Sequence, residues 1–347
     1  MEDLWFCLVA AMFALYVVFD GFDLGAGIIH LWVARTEEER RLVLRTIGPV
    51  WDGNEVWLVA GGGTLYFAFP AVYASAFSGF YLPLMIVLWL LILRGIAIEF
   101  RNHLESPIWN PLWDVVFSVS SLLLALFFAA ALGNVVRGVS LSAEGTFFSP
   151  LWTDFRPGPE TGVLDWFTIP VGLAGVVALA LHGALWIATK TEGQLQQRAR
   201  RLARGALGLA GILAAVATLL SFAVQDRILI NLAARPWGYL FPTIAVSGLG
   251  GVWWFLAKAE DAKAFLASSA FLIGMLASAA FGIYPHLLPS LSDATLGLGV
   301  DNAAASPYGL RVGLVWWTIG MAMVAAYFVF TYRHFAGKVS LKDQGGY

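Results

Sequence analysis

Residues 47–98 read IGPVWDGNEVWLVAGGGTLYFAFPAVYASAFSGFYLPLMIVLWLLILRGIAI, an apolar stretch with Pro70 as its strong break. Whether it crosses a bilayer once or twice decides the architecture. One crossing needs roughly 20 mostly apolar residues to cover about 30 Å of hydrocarbon, so the stretch is long enough for two. Across the whole chain nine segments qualify as spans: approximately 4–33, 47–69, 73–98, 112–133, 163–188, 203–224, 238–257, 264–284 and 309–333. With nine spans, the connections 34–46, 99–111, 189–202 and 258–263 and the C-terminal tail share one side. Together with the adjoining span ends they hold 16 of the 21 Lys and Arg, and the other side keeps Arg137, Arg156, Arg227, Arg235 and Arg311. A single crossing over 47–98 would reduce this split to about 12 to 9. Membrane proteins concentrate Lys and Arg on the cytoplasmic side. The asymmetry therefore selects an all-α integral membrane protein of nine transmembrane helices, N-terminus outside and C-terminus cytoplasmic.

Composition agrees. The chain is 59% hydrophobic and 13% charged, against about 25% charged in a typical soluble domain, so a bilayer is the solvent that suits it. A net charge of −2 gives no basic stripe of the kind nucleic acid requires. The single cysteine, Cys7, excludes a disulfide framework, a cysteine-ligated zinc site and an iron–sulfur cluster within the chain. Fifteen Trp suit many membrane–water boundaries, where indoles anchor. The first residues lack a basic region, which favours a retained first span over a cleaved signal. No internal repeat or soluble insertion is visible, so residues 1–347 read as a single membrane domain whose longer connections, 134–162 and 285–308, lie outside. Thr36-Glu37-Glu38-Glu39 has the form of a capping box and is expected to open a short surface helix with a Glu37–Arg41 pair.

Ionisable residues inside spans are costly and usually face a protein interior or a water-filled path. Asp20 and Asp23 lie three apart in the first span, Asp52 and Glu55 repeat that spacing in the second, Arg94 and Glu99 end the third, and Asp114 begins the fourth. The nine-span topology puts all but Asp20, which is near the middle, in the cytoplasmic half. At 1.5 Å per residue, Asp23 is roughly 15 Å from the inner end of its helix, and Asp52 about half as deep. Such a constellation reads as a proton uptake path, with Arg94 tuning its neighbours. The plainer readings are that Asp114 is a first-turn acid favoured by the helix dipole, that Arg94 snorkels to the headgroups, and that Asp23 and Asp52 only bond helices together. Gly21, Gly25, Gly27 and Gly53 allow close helix approach.

Redox chemistry is not expected within this chain. A haem-binding bundle needs paired axial ligands deep in the membrane. Of the five His, His30, His103 and His334 lie near the inner face, His286 is outside and only His182 is well inside a span. Its commoner role is a hydrogen bond to a neighbouring helix. No metal site, phosphate-binding loop or nucleophile elbow is visible. A proton-coupled secondary transporter is a competing reading, but it would carry broken spans in two related halves, whereas the acids here are confined to the first four spans. A purely structural membrane subunit is the other.

Asp20-Gly-Phe-Asp-Leu-Gly-Ala-Gly27, then Pro49-Val-Trp51-Asp52-Gly53-Asn54-Glu55-Val-Trp57, then Ala76-Phe-Ser-Gly-Phe-Tyr81, in this order and spacing, resemble subunit II of the cytochrome bd quinol oxidases. The likeness is specific over roughly residues 15–115. Beyond them it rests on span number and length and on the Tyr284-Pro285 and Ser290–Asn302 outer segment. Arg94 and Asp114 stand where that family carries an Arg and an Asp, while Glu99 stands where an Asp is expected. The resemblance implies a quinol:dioxygen oxidoreductase complex of a bacterial or archaeal cytoplasmic membrane. Its haem-bearing subunit I carries haem b and haem d and reduces dioxygen to water, and subunit II pairs with it through a similar nine-span fold. Protons for water come from the cytoplasm and quinol releases its own outside, so the enzyme is electrogenic without a pump. Asp52 is tied to that proton path by the resemblance, and Asp23, Arg94 and Asp114 occupy matching functional positions. Short single-span accessory subunits are usual in such complexes, and a structural quinone within this subunit is left open.

Overall fold

The first apolar run folds as one unbroken helix, α1 (Glu2–Val33), in a computed structural model that describes residues 1–104, 106–158 and 160–340. A capping box then opens α2 (Glu37–Ile47), a surface helix in which Thr36 and Glu39 cap each other and Arg41 Nε donates to Glu37 Oε1 at 3.3 Å. The stretch 47–98 becomes three helices, α3 (Trp51–Ala68), α4 (Pro70–Gly79) and α5 (Tyr81–Phe100). They are followed by α6 (Trp109–Arg137), α7 (Thr168–Lys190), α8 (Gly193–Val224), the short α9 (Arg227–Ala234), α10 (Leu240–Ala257), α11 (Asp261–Ile283) and α12 (Pro307–His334). Among the described residues, eight helices are long and apolar enough to cross a membrane. α3 is not among them, because its first turn carries Asp52, Asn54 and Glu55 and its middle carries Gly61, Gly62 and Gly63 in place of large apolar side chains.

The expected span 73–98 is divided at Phe80, and the chemistry of the division is local. Pro83 lacks the N–H that would close a helical bond onto the Gly79 carbonyl. That oxygen instead accepts from the Ser149 N–H at 3.1 Å, while the Phe147 ring occupies the space a Gly79 side chain would take. The sequence reading also missed α9 and a two-stranded antiparallel hairpin, β1 (His286–Leu288) with β2 (Leu298–Gly299), inside the connection 285–308. α8 starts about three turns earlier than the expected span, because Gln196, Arg198 and Arg200 on its first turns all bond to neighbouring segments.

Those bonds tie one end of the bundle together. Arg198 bonds Glu39 of α2 and the Val33 carbonyl, Arg200 pairs with Asp261 of α11, Arg101 forks onto Glu37, and Lys190 Nζ reaches the Phe335 carbonyl at 2.5 Å. At the opposite end the Ala305 N–H donates to the Ala68 carbonyl at 2.9 Å, next to the α3–α4 junction. α1 runs through the middle, packed on α3, α6, α7 and α11. Its crossing with α7 is the closest in the bundle. A Cβ on Gly25 would lie 1.9 Å from the Leu179 carbonyl oxygen, and one on Gly183 would lie 2.2 Å from the Gly25 carbonyl carbon. α12 is the reverse case, with Tyr308, Trp316, Met323 and Phe330 exposed along its length.

Gly25→Ala is expected to abolish accumulation of the folded protein in membranes, because the methyl collides with backbone. Gly208→Ala, in open space on α8, is expected to leave it unchanged. Quantitative immunoblotting of membrane fractions checks both.

Candidate functional site

Asp20 and Asp23 sit one turn apart on α1, both without solvent exposure. Arg94, projecting from α5 and equally buried, grips Asp20 with two parallel bonds: Nη1 donates to Oδ2 at 2.9 Å, and Nη2 donates to Oδ1. Glu55 of α3 places Oε2 3.8 Å from Arg94 Nη1. Beside this pair, Asn54 Nδ2 donates to Asp23 Oδ2 at 2.7 Å, and the Tyr332 hydroxyl of α12 donates to Asn54 Oδ1 at 2.9 Å. The two contacts fix the orientation of the amide, since its nitrogen must face the carboxylate and its oxygen the hydroxyl. Asp23 Oδ1 remains buried without a protein partner. Four helices thus bring Asp20, Asp23, Glu55 and Arg94 together, with Asn54 and Tyr332 as fixed donors.

The other expected site residues lie elsewhere. Asp52 is exposed on α3 and makes no hydrogen bond or ion pair among the described residues. Helical geometry turns it away: at 100° per residue it projects about 160° from Asn54, which faces α1. Its neighbours on that outward stripe are Val56 and Val59. Trp51 packs on Gly95 of α5, Gly53 lies against the Tyr327 hydroxyl, and Trp57 stacks on Phe19 with ring centroids 5.6 Å apart. These motif residues seat α3 against its neighbours. Glu99 is half-buried and its carboxylate has no partner among the described residues.

Asp114 belongs to a second cluster at the α2 end. His30 Nε2 is 2.7 Å from its Oδ1, Arg101 donates from Nε at 2.6 Å and from Nη2 at 3.1 Å, and Arg40 Nη1 donates at 3.0 Å. Arg101 also forks onto Glu37 at 2.9 and 3.0 Å, and Asn110 Nδ2 donates to Glu37 at 3.1 Å. The structure therefore separates Asp114 from the Asp20–Arg94 pair. Burial raises the Glu37 pKa, but the bonds from Arg101 and Asn110 outweigh it and hold the carboxyl below its ordinary value. Sequence reasoning missed His30, Arg40, Arg101 and Tyr332. His30 had a signal, because it follows Asp23 by seven residues and so shares its helix face.

His182 is enclosed between helices. Its Nδ1 is 2.7 Å from Ser268 Oγ, its Nε2 is 3.0 Å from the Val18 carbonyl, and its ring stacks on Phe265. With both ring nitrogens engaged, this residue does not suit an axial haem ligand; His30 commits only Nε2, to Asp114. No cluster of His, Cys, Asp and Glu with metal-binding geometry occurs among the described residues.

Removing one partner of a buried ion pair leaves an uncompensated charge, at a cost of about 3–5 kcal/mol. Asp20→Asn is therefore expected to lower the melting temperature of the detergent-purified protein sharply, whereas Asp52→Asn stays within about 0.5 kcal/mol. Glu37 gives a pH test. A carboxylate depressed in the folded state adds stability above its unfolded value of about 4.3 and loses it as pH falls through the folded value. Glu37→Gln should accordingly flatten the loss of thermal stability below about pH 4.

Comparison with known proteins gives a consistent result. The family model described as cytochrome bd terminal oxidase subunit II matches residues 1–335. The chain is 30% identical to cytochrome bd ubiquinol oxidase subunit 2 of Bacillus subtilis, over 99% of this chain and 98% of that protein. It is 27% identical to cytochrome bd-I ubiquinol oxidase subunit 2 of Escherichia coli K12, over 99% and 96%. Among solved structures, a chain of the bd oxidase from Geobacillus thermodenitrificans superposes with a TM-score of 0.75 at 17% identity, covering 96% of this chain and 98% of that one, which shows a shared fold. The chain is a multi-pass membrane protein that belongs to the cytochrome bd terminal oxidase subunit II family.

Proposed function

We propose that this chain serves a bd-type ubiquinol oxidase as the subunit that ligates no haem and conducts protons from the cytoplasm toward the dioxygen-reducing centre of its partner. One observation carries the reading: three carboxylates, Asp20, Asp23 and Glu55, gather around a single cation, Arg94, at a largely buried site. A net charge of −2 inside hydrocarbon is prohibitively expensive, so charge balance requires the cluster to hold protons. Asp20 is neutralised by the two-pronged grip of Arg94 and sets the local field. The proton falls instead to Asp23 Oδ1, which lacks a protein partner, and to Glu55, which is partly exposed.

The finer assignments follow from the same reading. Residues 1–347 form one membrane domain of nine spans, with α3 as the second and α4–α5 as the third, N-terminus outside and the α2 end in a bacterial cytoplasmic membrane's inner face. Support comes from Arg101 meeting Glu37, since 34–46 and 99–111 share an end only if the chain between them goes out and returns. Haem b and haem d belong to subunit I. Asp52 stands on an exposed apolar stripe of α3 with Val56 and Val59, where a partner subunit covers it and receives the proton. Asp114 stabilises the inner face rather than carrying protons. Turnover is electrogenic without a pump, quinol and dioxygen are the substrates of the complex, and a structural quinone and short accessory subunits are compatible with the exposed apolar faces.

The protein should purify with a haem-bearing partner whose visible spectrum shows a d-type band. Asp23→Asn and Asp52→Asn should each cut oxygen consumption per haem by about a hundredfold while the spectrum stays unchanged. Normal turnover in both would remove the path from this chain.

A further inference from the structure

Along α1 the polar positions form a longer series than the two aspartates. Tyr16, Asp20, Asp23, Gly27 and His30 recur at alternating intervals of four and three residues, so they occupy one strip of the helix about 80° wide. All five are buried. Gly27 matters because of what faces it: a Cβ there would lie 2.1 Å from Ser121 Oγ of α6. Ser121 follows Asp114 by seven residues on α6, just as His30 follows Asp23 on α1, and the two helices run antiparallel. The strip therefore meets polar positions of α6, with His30 against Asp114 at the inner end and Gly27 against Ser121, one turn away along α1 and two along α6.

Four atoms on this seam, Tyr16 Oη, Asp23 Oδ1, Ser121 Oγ and His30 Nδ1, are fully enclosed and have no protein partner, and the last three lie between the inner end and Asp23. Buried polar atoms are nearly always satisfied, and an orphan costs about 1–3 kcal/mol. Those three, two on α1 and one facing them from α6, are most economically satisfied by internal water, which typically bonds such groups.

We infer that His30 is the inner station of the proton path, passing protons along the Ser121–Gly27 contact to Asp23. This deepens the proposed function and rests on it. The Nε2–H of His30 is spent on Asp114, which leaves the Nδ1 lone pair as the working site. A proton from cytoplasmic water forms an N–H bond at Nδ1. The resulting imidazolium is offset by the Asp114 carboxylate, which Arg40 and Arg101 otherwise balance against Glu37. The N–H bond then breaks as an O–H bond forms at Asp23 Oδ1 through water and the Ser121 hydroxyl, about 10 Å away along the helix. His30 returns to its neutral form. The charged groups facing His30 are Asp114 from α6, Arg101 from the end of α5 and Arg40 from α2, so the station forms part of an otherwise electroneutral cluster.

The test uses the complete purified oxidase complex. His30→Gln keeps an amide donor for Asp114 but cannot take a proton at the Nδ1 position, and Ser121→Ala removes only the hydroxyl. Both should lower oxygen consumption per haem, by about a hundredfold for His30→Gln. Both should also enlarge the solvent deuterium isotope effect, while the anaerobic rate of haem reduction by quinol stays at the native value. A merely structural His30 would change complex yield but not the isotope effect of the complexes that assemble. Unchanged turnover in both variants overturns the inference. If His30→Gln fails to assemble, Ser121→Ala decides alone: loss of turnover with a raised isotope effect supports the route, and native values overturn it. Asp23→Asn run in parallel separates the two levels. If it loses turnover while the other variants do not, the path stands and its inner station lies elsewhere. If it too is native, together with Asp52→Asn, the proposed function itself fails.

Discussion

A guanidinium placed among carboxylates away from water sets the terms for the first half of this chain. Arg94 holds Asp20 by both oxygens and stands 3.8 Å from Glu55, so α1, α3 and α5 are bound through one cation. Neither partner of the Asp20 pair is exposed, and in a low-dielectric surrounding each would be far more costly alone than together. The geometry of α3 then follows. With Glu55 drawn toward Arg94 and Asn54 toward Asp23, the remaining motif positions are assigned by rotation, and Asp52 has to face outward.

This rotational constraint explains what could and could not be read from the sequence. The all-helical membrane fold, the α2 capping box and the convergence of Asp20, Asp23, Glu55 and Arg94 are legible in the sequence, because they depend on hydropathy, local hydrogen bonding and the cost of buried charge. The outward direction of Asp52 and the partners of Asp114 are not legible, for one shared reason. Depth in the membrane was inferred from sequence position, but depth does not specify which way a side chain points. Asp52 is at a plausible depth and on the outward face, while Asp114 is at the helix end among Arg40, Arg101 and His30. Arg101 had been counted only as inner-face charge. Its fork onto Glu37 and Asp114 joins residues far apart in the chain, and no local pattern announces such a partnership. The break at Phe80 was partly legible through Pro83, yet its stability depends on Ser149 from a distant loop.

Close helix approach is what lets these polar groups meet. Where α1 crosses α7, Gly25 and Gly183 bring backbone against backbone, and Gly27 makes room for the Ser121 side chain on the opposite side. Helices with larger residues at those positions would stand farther apart. Asp23 could then not be reached by short side chains from its neighbours, and the seam along α1 would open. The glycines of the Asp20–Gly27 motif and its aspartates therefore act as a unit, one set fixing separation and the other supplying charge.

The least buried of the long helices has a bearing on biogenesis. α12 leaves the ribosome long after α1 and α3, and it exposes most of its surface, yet its Tyr332 hydroxyl orients the Asn54 amide toward Asp23. Residues of α1 and α3 thus wait for α12 before the Asn54 amide is held on both sides. The interior of the bundle is finished only once α12 has been made, so a product that stalls before it carries all the acids of the cluster but lacks the hydroxyl that sets their arrangement.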